Sequence, residues 1–188
     1  MKKLLVLSLA LTIGIATALV INSFMVKEQK QVQVSAQWKD VYRTLGGLVA
    51  GADLIVVADH LIAEPGRTIG EGEDTIPFTN NTFTVKSILK GTHNGSTLLV
   101  EQTGGMLSNG MVLGVNDGGQ YIPGSSYLLF LKDNGDGNYY VINHQARYQI
   151  KDNILEGVDP TDLVVARMHG VALERSNQMI KSRVRLIE

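Results

Sequence analysis

Apolar residues in this chain recur at every second position or in short unbroken runs. Strands produce these two patterns according to whether one face or both are buried. The stretch Ala52 to Ala63, ADLIVVADHLIA, is of the unbroken kind: Leu54 to Ala58 put apolar side chains on both sides of a strand, which then needs cover above and below. Ser126 to Lys132, SYLLFLK, is a second such strand, with Tyr139 to Asn143 as its hairpin partner across DNGDG. Thr82 to Gly91, TFTVKSILKG, alternates instead, placing Phe83, Val85, Ser87 and Leu89 on one face. Thr97 to Gln102, Met111 to Val115, Ala146 to Lys151 and Ile154 to Gly157 read as further strands, the last two joined by an Asp152-Asn153 turn. In Ala146 to Lys151 the alternation sets Ala146, Tyr148 and Ile150 against Arg147, Gln149 and Lys151.

Helical spacing occurs in two places. Val41, Leu45, Leu48 and Val49 predict a short helix leading into the central strand. Gly46, Gly47 and Gly51 weaken it by roughly 1 kcal/mol each, so packing has to hold it. Pro160 to Ile187 carries an imperfect apolar stripe with Gly170 as a weak point, and Arg167, Arg175, Lys181, Arg183 and Arg185 make this C-terminal helix basic, as a solvated face requires.

At the other end, Lys2 and Lys3 precede Leu4 to Ile21, eighteen residues without a charge. Such a run can cross about 30 Å of hydrocarbon as a helix. Residues 1–26 therefore read as a signal anchor or signal peptide that places the remainder outside the cytoplasm. Retention is favoured because the run exceeds the roughly 7 to 15 apolar residues of a cleaved signal. Lys27 to Gln37, KEQKQVQVSAQ, reads as a polar linker.

Two connections stand out as surfaces. Glu64 to Asn81, EPGRTIGEGEDTIPFTNN, reads as a long acidic loop, and Thr103 to Gly124 is rich in glycine. Long loops in compact domains are commonly functional, so Glu71, Glu73, Asp74, Asn80, Asn109, Asn116 and Asp117 become the candidate partner-binding residues.

Composition narrows the chemistry. A formal net charge of −1 gives no electrostatic footprint for nucleic acid, and the absence of cysteine removes disulfides, thiol catalysis and cysteine zinc sites. His60, His93, His144 and His169 lack metal-site spacing, no G-x-S-x-G or phosphate-binding loop occurs, and DNGDGN lacks the ligands of a calcium loop. No catalytic residue, cofactor or metal is expected. Asp59-His60 reads as a polar pair at the end of the central strand.

The order ADLIVVADHLIA, an insertion, FTVKSILKG, TLLVEQTGG, then PGSSYLLFLKD with a following YYVIN resembles the netrin-like, OB-fold-related domain of secreted or membrane-tethered bacterial proteins, over about Gly47 to Gly157. Animal members include the tissue inhibitors of metalloproteinases, whose amino-terminal cysteine reaches the target's zinc; no residue here matches it. The resemblance implies a mainly β fold, a small closed or partly open β-barrel in a domain spanning residues 38–159, to which the spacing adds a helix before it and a C-terminal helix over 160–188. It also implies binding through loops.

The expected function is that of a non-catalytic extracytoplasmic module that binds an envelope protein or polymer. The alternative is a protease inhibitor or envelope hydrolase, with His60 beside Asp59, or His144 near Tyr148, as general base. If the N-terminal segment is an anchor, the intact mass of protein extracted from membranes includes residues 1–26. A mature N-terminus at Leu19 or Gln37 in mass spectrometry overturns retention.

Overall fold

The computed structural model describes residues 31–34, 40–71, 75–115 and 118–187. The expected membrane segment lies outside these, as do Glu73, Asp74, Asn116 and Asp117. Among the described residues, no helix is long and apolar enough to cross a membrane.

The central strand forms where the unbroken apolar run places it. Strand β2 (Leu54–Ile69) sends Leu54, Val56 and Ala58 into one core, with Phe83, Leu98, Val100, Tyr127, Leu129 and Leu131. Ile55 and Val57 enter a second core on the opposite face, with Leu48, Phe130, Tyr148, Leu155, Val165 and Ile180. Strand β7 (Ser126–Asp133) divides its residues in the same way and pairs antiparallel with β2, Val56 opposite Leu129. The two strands are buried on both faces because each belongs to two cores.

Around them, β3 (Ile76–Lys90), β4 (Thr97–Thr103), β8 (Tyr139–Val141), β9 (Arg147–Lys151) and β10 (Ile154–Gly157) complete a seven-stranded sheet in the order β10-β9-β7-β2-β3-β4-β8. β8 also pairs with β7, so the sheet curls back on itself. It does not close along its length: only Val100↔Tyr139 and Glu101↔Tyr140 join β8 to β4, in parallel. The positive φ values at Asp152 and Asn153 make the expected two-residue turn between β9 and β10. A smaller sheet orders β1 (Gln31–Val34), β6 (Val112–Val115) and β5 (Gly105–Met106) as β1-β6-β5. Residues 31–34, expected in a linker, thus form a strand parallel to β6.

The sequence prediction of a loop over Glu64 to Asn81 is corrected. β2 and β3 continue as a paired hairpin arm, with Glu64 opposite Asn80 and Ile69 opposite Ile76. Pro65 is tolerated because β7 leaves β2 at Asp59, which makes the outer half of β2 an edge, and because the register shifts between Pro65 and Thr68. β4 supplies backbone partners for the other side of the arm, from Phe78↔Thr103 inward.

The second core is roofed by helices. Helix α1 (Leu45–Gly51) buries Leu45, Leu48 and Val49, and the Thr44 hydroxyl accepts from Gly47 N at 3.0 Å at its start. Its C-terminal end is held from the sheet: Lys90 Nζ donates to the carbonyls of Val49 (2.8 Å), Ala50 (3.2 Å) and Ala52 (2.5 Å). The next residue, Gly91, has φ +76° and passes so close to the Asp53 carbonyl that a Cβ would collide with it. The lysine-glycine pair that ends the alternating strand is thus a cap followed by a close backbone crossing.

Side-chain amides fasten the segment before α1. Buried Gln145, in the short 3₁₀ turn His144–Ala146, accepts from Tyr42 N through Oε1 and donates to Tyr42 O through Nε2, both at 2.9 Å. Asn143 Nδ2 donates to Asp40 O at 2.6 Å.

At the C-terminus the single predicted helix is two, α2 (Leu163–Ala166) and α3 (Leu173–Val184). Gly170, at φ +76°, breaks the stripe and donates to Leu155 O at 2.8 Å, tying the break to β10. The substitution Gly91→Ala is expected to destabilise the fold by more than about 2 kcal/mol, combining strained φ with backbone collision. Gly110→Ala, at φ +80° but in open space, is expected to cost about 1 kcal/mol. Urea midpoints of the two variants check the contrast.

Candidate functional site

The site begins where the sheet fails to close. β9 continues the path of β8 but leaves β4, and the gap between them is filled by side chains and by the segment 118–122. Arg147 opens β9 opposite Leu129, on the side of the first core. Its guanidinium carbon lies 3.8 Å from the ring centre of Tyr121, in the segment that fills the gap, and 5.3 Å from that of Tyr127 on the adjoining strand β7. Arg147 NH1 donates to Gly119 O at 2.6 Å and NH2 to Gln120 O at 3.1 Å, while Gln102 Nε2 donates to the same Gly119 carbonyl at 2.9 Å. Ile122 N donates to Tyr127 Oη at 2.9 Å. Arginine and tyrosine together pin this loop across the gap.

Behind them the aromatic cluster continues inward. Tyr121 meets Tyr127 and Phe83 edge to face, at 5.0 and 4.9 Å between ring centres, and His60 lies 5.0 Å from Phe83 and 5.6 Å from Tyr121. His60 is 1% exposed, and among the described residues neither of its ring nitrogens has a hydrogen-bond partner. Burial pushes its pKa below the ordinary 6.5, against the opposing influence of the Ile122 backbone, the Asn81 side chain and the Ile62 backbone.

Asp59 points the other way along the strand. There Ser126 Oγ donates to Asp59 Oδ1 at 2.6 Å, and Lys86 Nζ lies 2.8 Å from Oδ2. Burial alone would raise the Asp59 carboxyl, but these bonds outweigh it and hold the group below the usual carboxylate range. The expected Asp59-His60 pair is therefore split between two faces.

Two clefts flank Arg147. The first, about 190 Å³, joins Arg67 and Phe78 of the arm to Thr103 and Tyr121 of the glycine-rich segment, with Asn134 and Arg147 completing it. Within it Arg67 holds Glu101 through two bonds of 2.7 and 2.8 Å and lies over the Phe78 ring at 4.9 Å. The second cleft, about 210 Å³, opens on the far side between Gln120, Tyr127, Gln149 and Glu156. Both fall below the roughly 300 Å³ of a typical drug-sized ligand site, and suit a side chain or a small end group.

The predicted contact residues are distributed unevenly. Glu71 is exposed beside the arm tip. Asn80 stands half-buried on β3, opposite Glu64 on one side and Glu101 on the other. Asn109 Oδ1 accepts from Met111 N at 3.0 Å, so it shapes its own turn. Asp133 and Asp136 likewise accept from Gly135 N and Asn138 N, closing the hairpin turn.

The other histidines are dispersed. His93 Nε2 meets Thr97 O at 2.8 Å, His144 Nε2 lies 3.7 Å from Asp162, and His169 Nδ1 accepts from Gly157 N at 3.2 Å. Tyr148 is buried against Phe130, and its hydroxyl has no hydrogen-bond partner among the described residues. Among the described residues, no group of three or more acidic or histidine side chains is placed to hold a metal ion.

Sequence reasoning missed Arg147, which alternation put on the polar face of its strand. The only signal was its register, two residues from Gln149 and adjoining a strand buried on both sides. No known family model matches the chain, and no characterised protein matches its sequence.

Because burial lowers the His60 pKa in the folded chain, the unfolded chain binds a proton more readily from about pH 6.5 downward, and stability falls as pH drops below that value. The lowered carboxyls of Asp53, Asp59 and Asp162 act only near and below 3.8, outside this window. Urea midpoints of wild type and His60→Phe between pH 7.5 and 5 separate the effect. The wild type is expected to lose at most about 1.4 kcal/mol per pH unit, and the variant less.

Proposed function

We propose that this chain is a non-catalytic interaction module outside the cytoplasmic membrane, tethered by or secreted through its N-terminal segment. In this reading it binds an envelope protein or polymer with the arm and the glycine-rich segment. The observation that carries it is the first cleft, where Arg67 and Phe78 of one segment face Thr103 and Tyr121 of the other. Two stretches far apart in sequence, each singled out as a surface, line a single recess.

The fold part of the proposal is an OB-type, netrin-like barrel that is partly open. Its support is the connectivity: β2, β3 and β4 follow one another, β7 returns beside β2, and β8 lies parallel to β4 and antiparallel to β7. Such an order is the one expected of a five-stranded, partly open OB barrel, and it supports this reading. The two glycine-bearing strand ends of the resemblance also have structural reasons. Gly91 crosses Asp53, and Gly104, at φ +110°, accepts from Thr79 Oγ1 at 2.8 Å where the arm meets the small sheet.

A photo-crosslinking side chain placed in intact cells tests the surface. Ile69 on the arm is 48% exposed and Met106 in the glycine-rich segment 63%, while Leu163 on α2, 79% exposed, lies beside the second core. Crosslinked products are expected from positions 69 and 106 and not from 163. Products at all three alike, at 163 only, or at none overturn the assignment.

A further inference from the structure

We propose that the cleft between the arm and the glycine-rich segment binds a single carboxylate, anchored by Arg147. The argument starts from charge. Arg147 is 6% exposed, and burying an ion is costly unless another charge compensates it. Here two backbone carbonyls and two tyrosine faces receive it, which are dipoles and quadrupoles rather than charges. Among the described residues, no carboxylate lies within 4.0 Å of its guanidinium.

The acids nearest the two clefts are already committed. Glu101 is held by Arg67 on the arm side, and Glu156 by Lys151 on the other. Each rim is neutral within itself, and among the described residues the positive charge between them is left over.

The donor geometry agrees. A guanidinium carries five N–H donors, and the carbonyls of Gly119 and Gln120 take one each from NH1 and NH2. The remaining donors can meet a planar acceptor, the arrangement that favours carboxylates. The arm-side cleft adds Thr103, Asn134 and Tyr140, whose side chains make no hydrogen bond among the described residues and can turn to a ligand. Both clefts carry a glutamate, but Glu101 shares the arm-side lining with its partner Arg67, whereas Glu156 lines the far-side cleft without Lys151 and makes it less suited to an anion.

Charge also selects the anion. One uncompensated cation balances one negative charge, whereas a phosphate group carries about −1.5 to −2 at neutral pH and would ask for a second. Arg67 cannot supply it without releasing Glu101. The volume of about 190 Å³ admits a carboxylate on a short stem, such as an acidic side chain or a chain end, and not a large body.

This inference rests on reading the domain as an interaction module, and names the group by which a partner would be gripped. The test uses the full chain in detergent micelles with nitrogen-15 in its arginines, titrated with acetate, with acetamide as a neutral match and inorganic phosphate as a competitor. The Arg147 Nε–H resonance is expected to shift saturably with acetate at roughly millimolar concentration, as so small a ligand allows, and not with acetamide.

The double variant Asn134→Ala/Tyr140→Phe, at the solvent side of the cleft, is expected to weaken acetate at least about threefold, the loss of one modest hydrogen bond. Arg147→Lys is expected to weaken it at least about tenfold, because an ammonium cannot present the fork. Three results overturn the site: no saturable shift in the folded wild-type chain, an equal response to acetamide, or tighter binding of phosphate than of acetate. The wild-type titration stands without either variant, and it decides the carboxylate site whatever the crosslinking at positions 69 and 106 shows.

Discussion

Burial of β2 on both faces is the constraint from which the rest of the molecule follows. A strand that carries Leu54, Val56 and Ala58 on one side and Ile55 and Val57 on the other cannot rest on the surface of a single core. The chain meets the demand twice. On one side the sheet curls until β3, β4 and β8 enclose the first core. On the other, α1, α2 and α3 are laid over the second. Full burial of each large aliphatic side chain contributes about 1.5–3 kcal/mol, so the shared strands concentrate the stabilisation in β2 and β7. The short, glycine-bearing α1 persists because Leu45, Leu48 and Val49 lie in that core and Lys90 holds its last carbonyls.

The same strand outgrows its cover. β7 leaves β2 at Asp59, yet β2 runs on to Ile69, so its outer half becomes an edge. Edges invite pairing with other chains, and this one carries two common safeguards, a proline and a register shift. At the opposite side of the curl the sheet leaves an opening, because β8 spans only three residues before the chain turns into β9. Arg147 and Tyr121 occupy that opening. The proposed interaction surface and the imperfect closure are therefore two aspects of one geometry: the arm overhangs the gap that the arginine plugs.

Much of this was legible from residue order. Unbroken apolar runs located β2 and β7, alternation located β3 and β9, and Asp152-Asn153 marked its turn. The arm was not legible, because Pro65, Gly66, Gly70 and Pro77 read as interruptions when edge status is unknown. Only the departure of β7, a tertiary fact, makes Pro65 acceptable. Arg147 escaped for a related reason. Alternation tells which residues share a face but not whether that face meets solvent, and at Arg147 the covering atoms come from residues 119 to 127. His60 was visible as a residue and misplaced as a strand-end group. Its ring belongs to the aromatic interior, which is why Asp59 and His60, neighbours in sequence, never meet.

The clasp on residues 40 to 42 has a mechanical meaning. Gln145 grips both the amide and the carbonyl of Tyr42, and Asn143 grips the carbonyl of Asp40, so three side-chain hydrogen bonds fasten the chain before α1 begins. Tension that reaches residue 40 is borne by these bonds, loaded together, and passes into the short turn between β8 and β9. It reaches the sheet at its weakest junction, beside the gap, and not at the central strand. A pull arriving at residue 40 would thus be felt at the open seam before it could disturb either core.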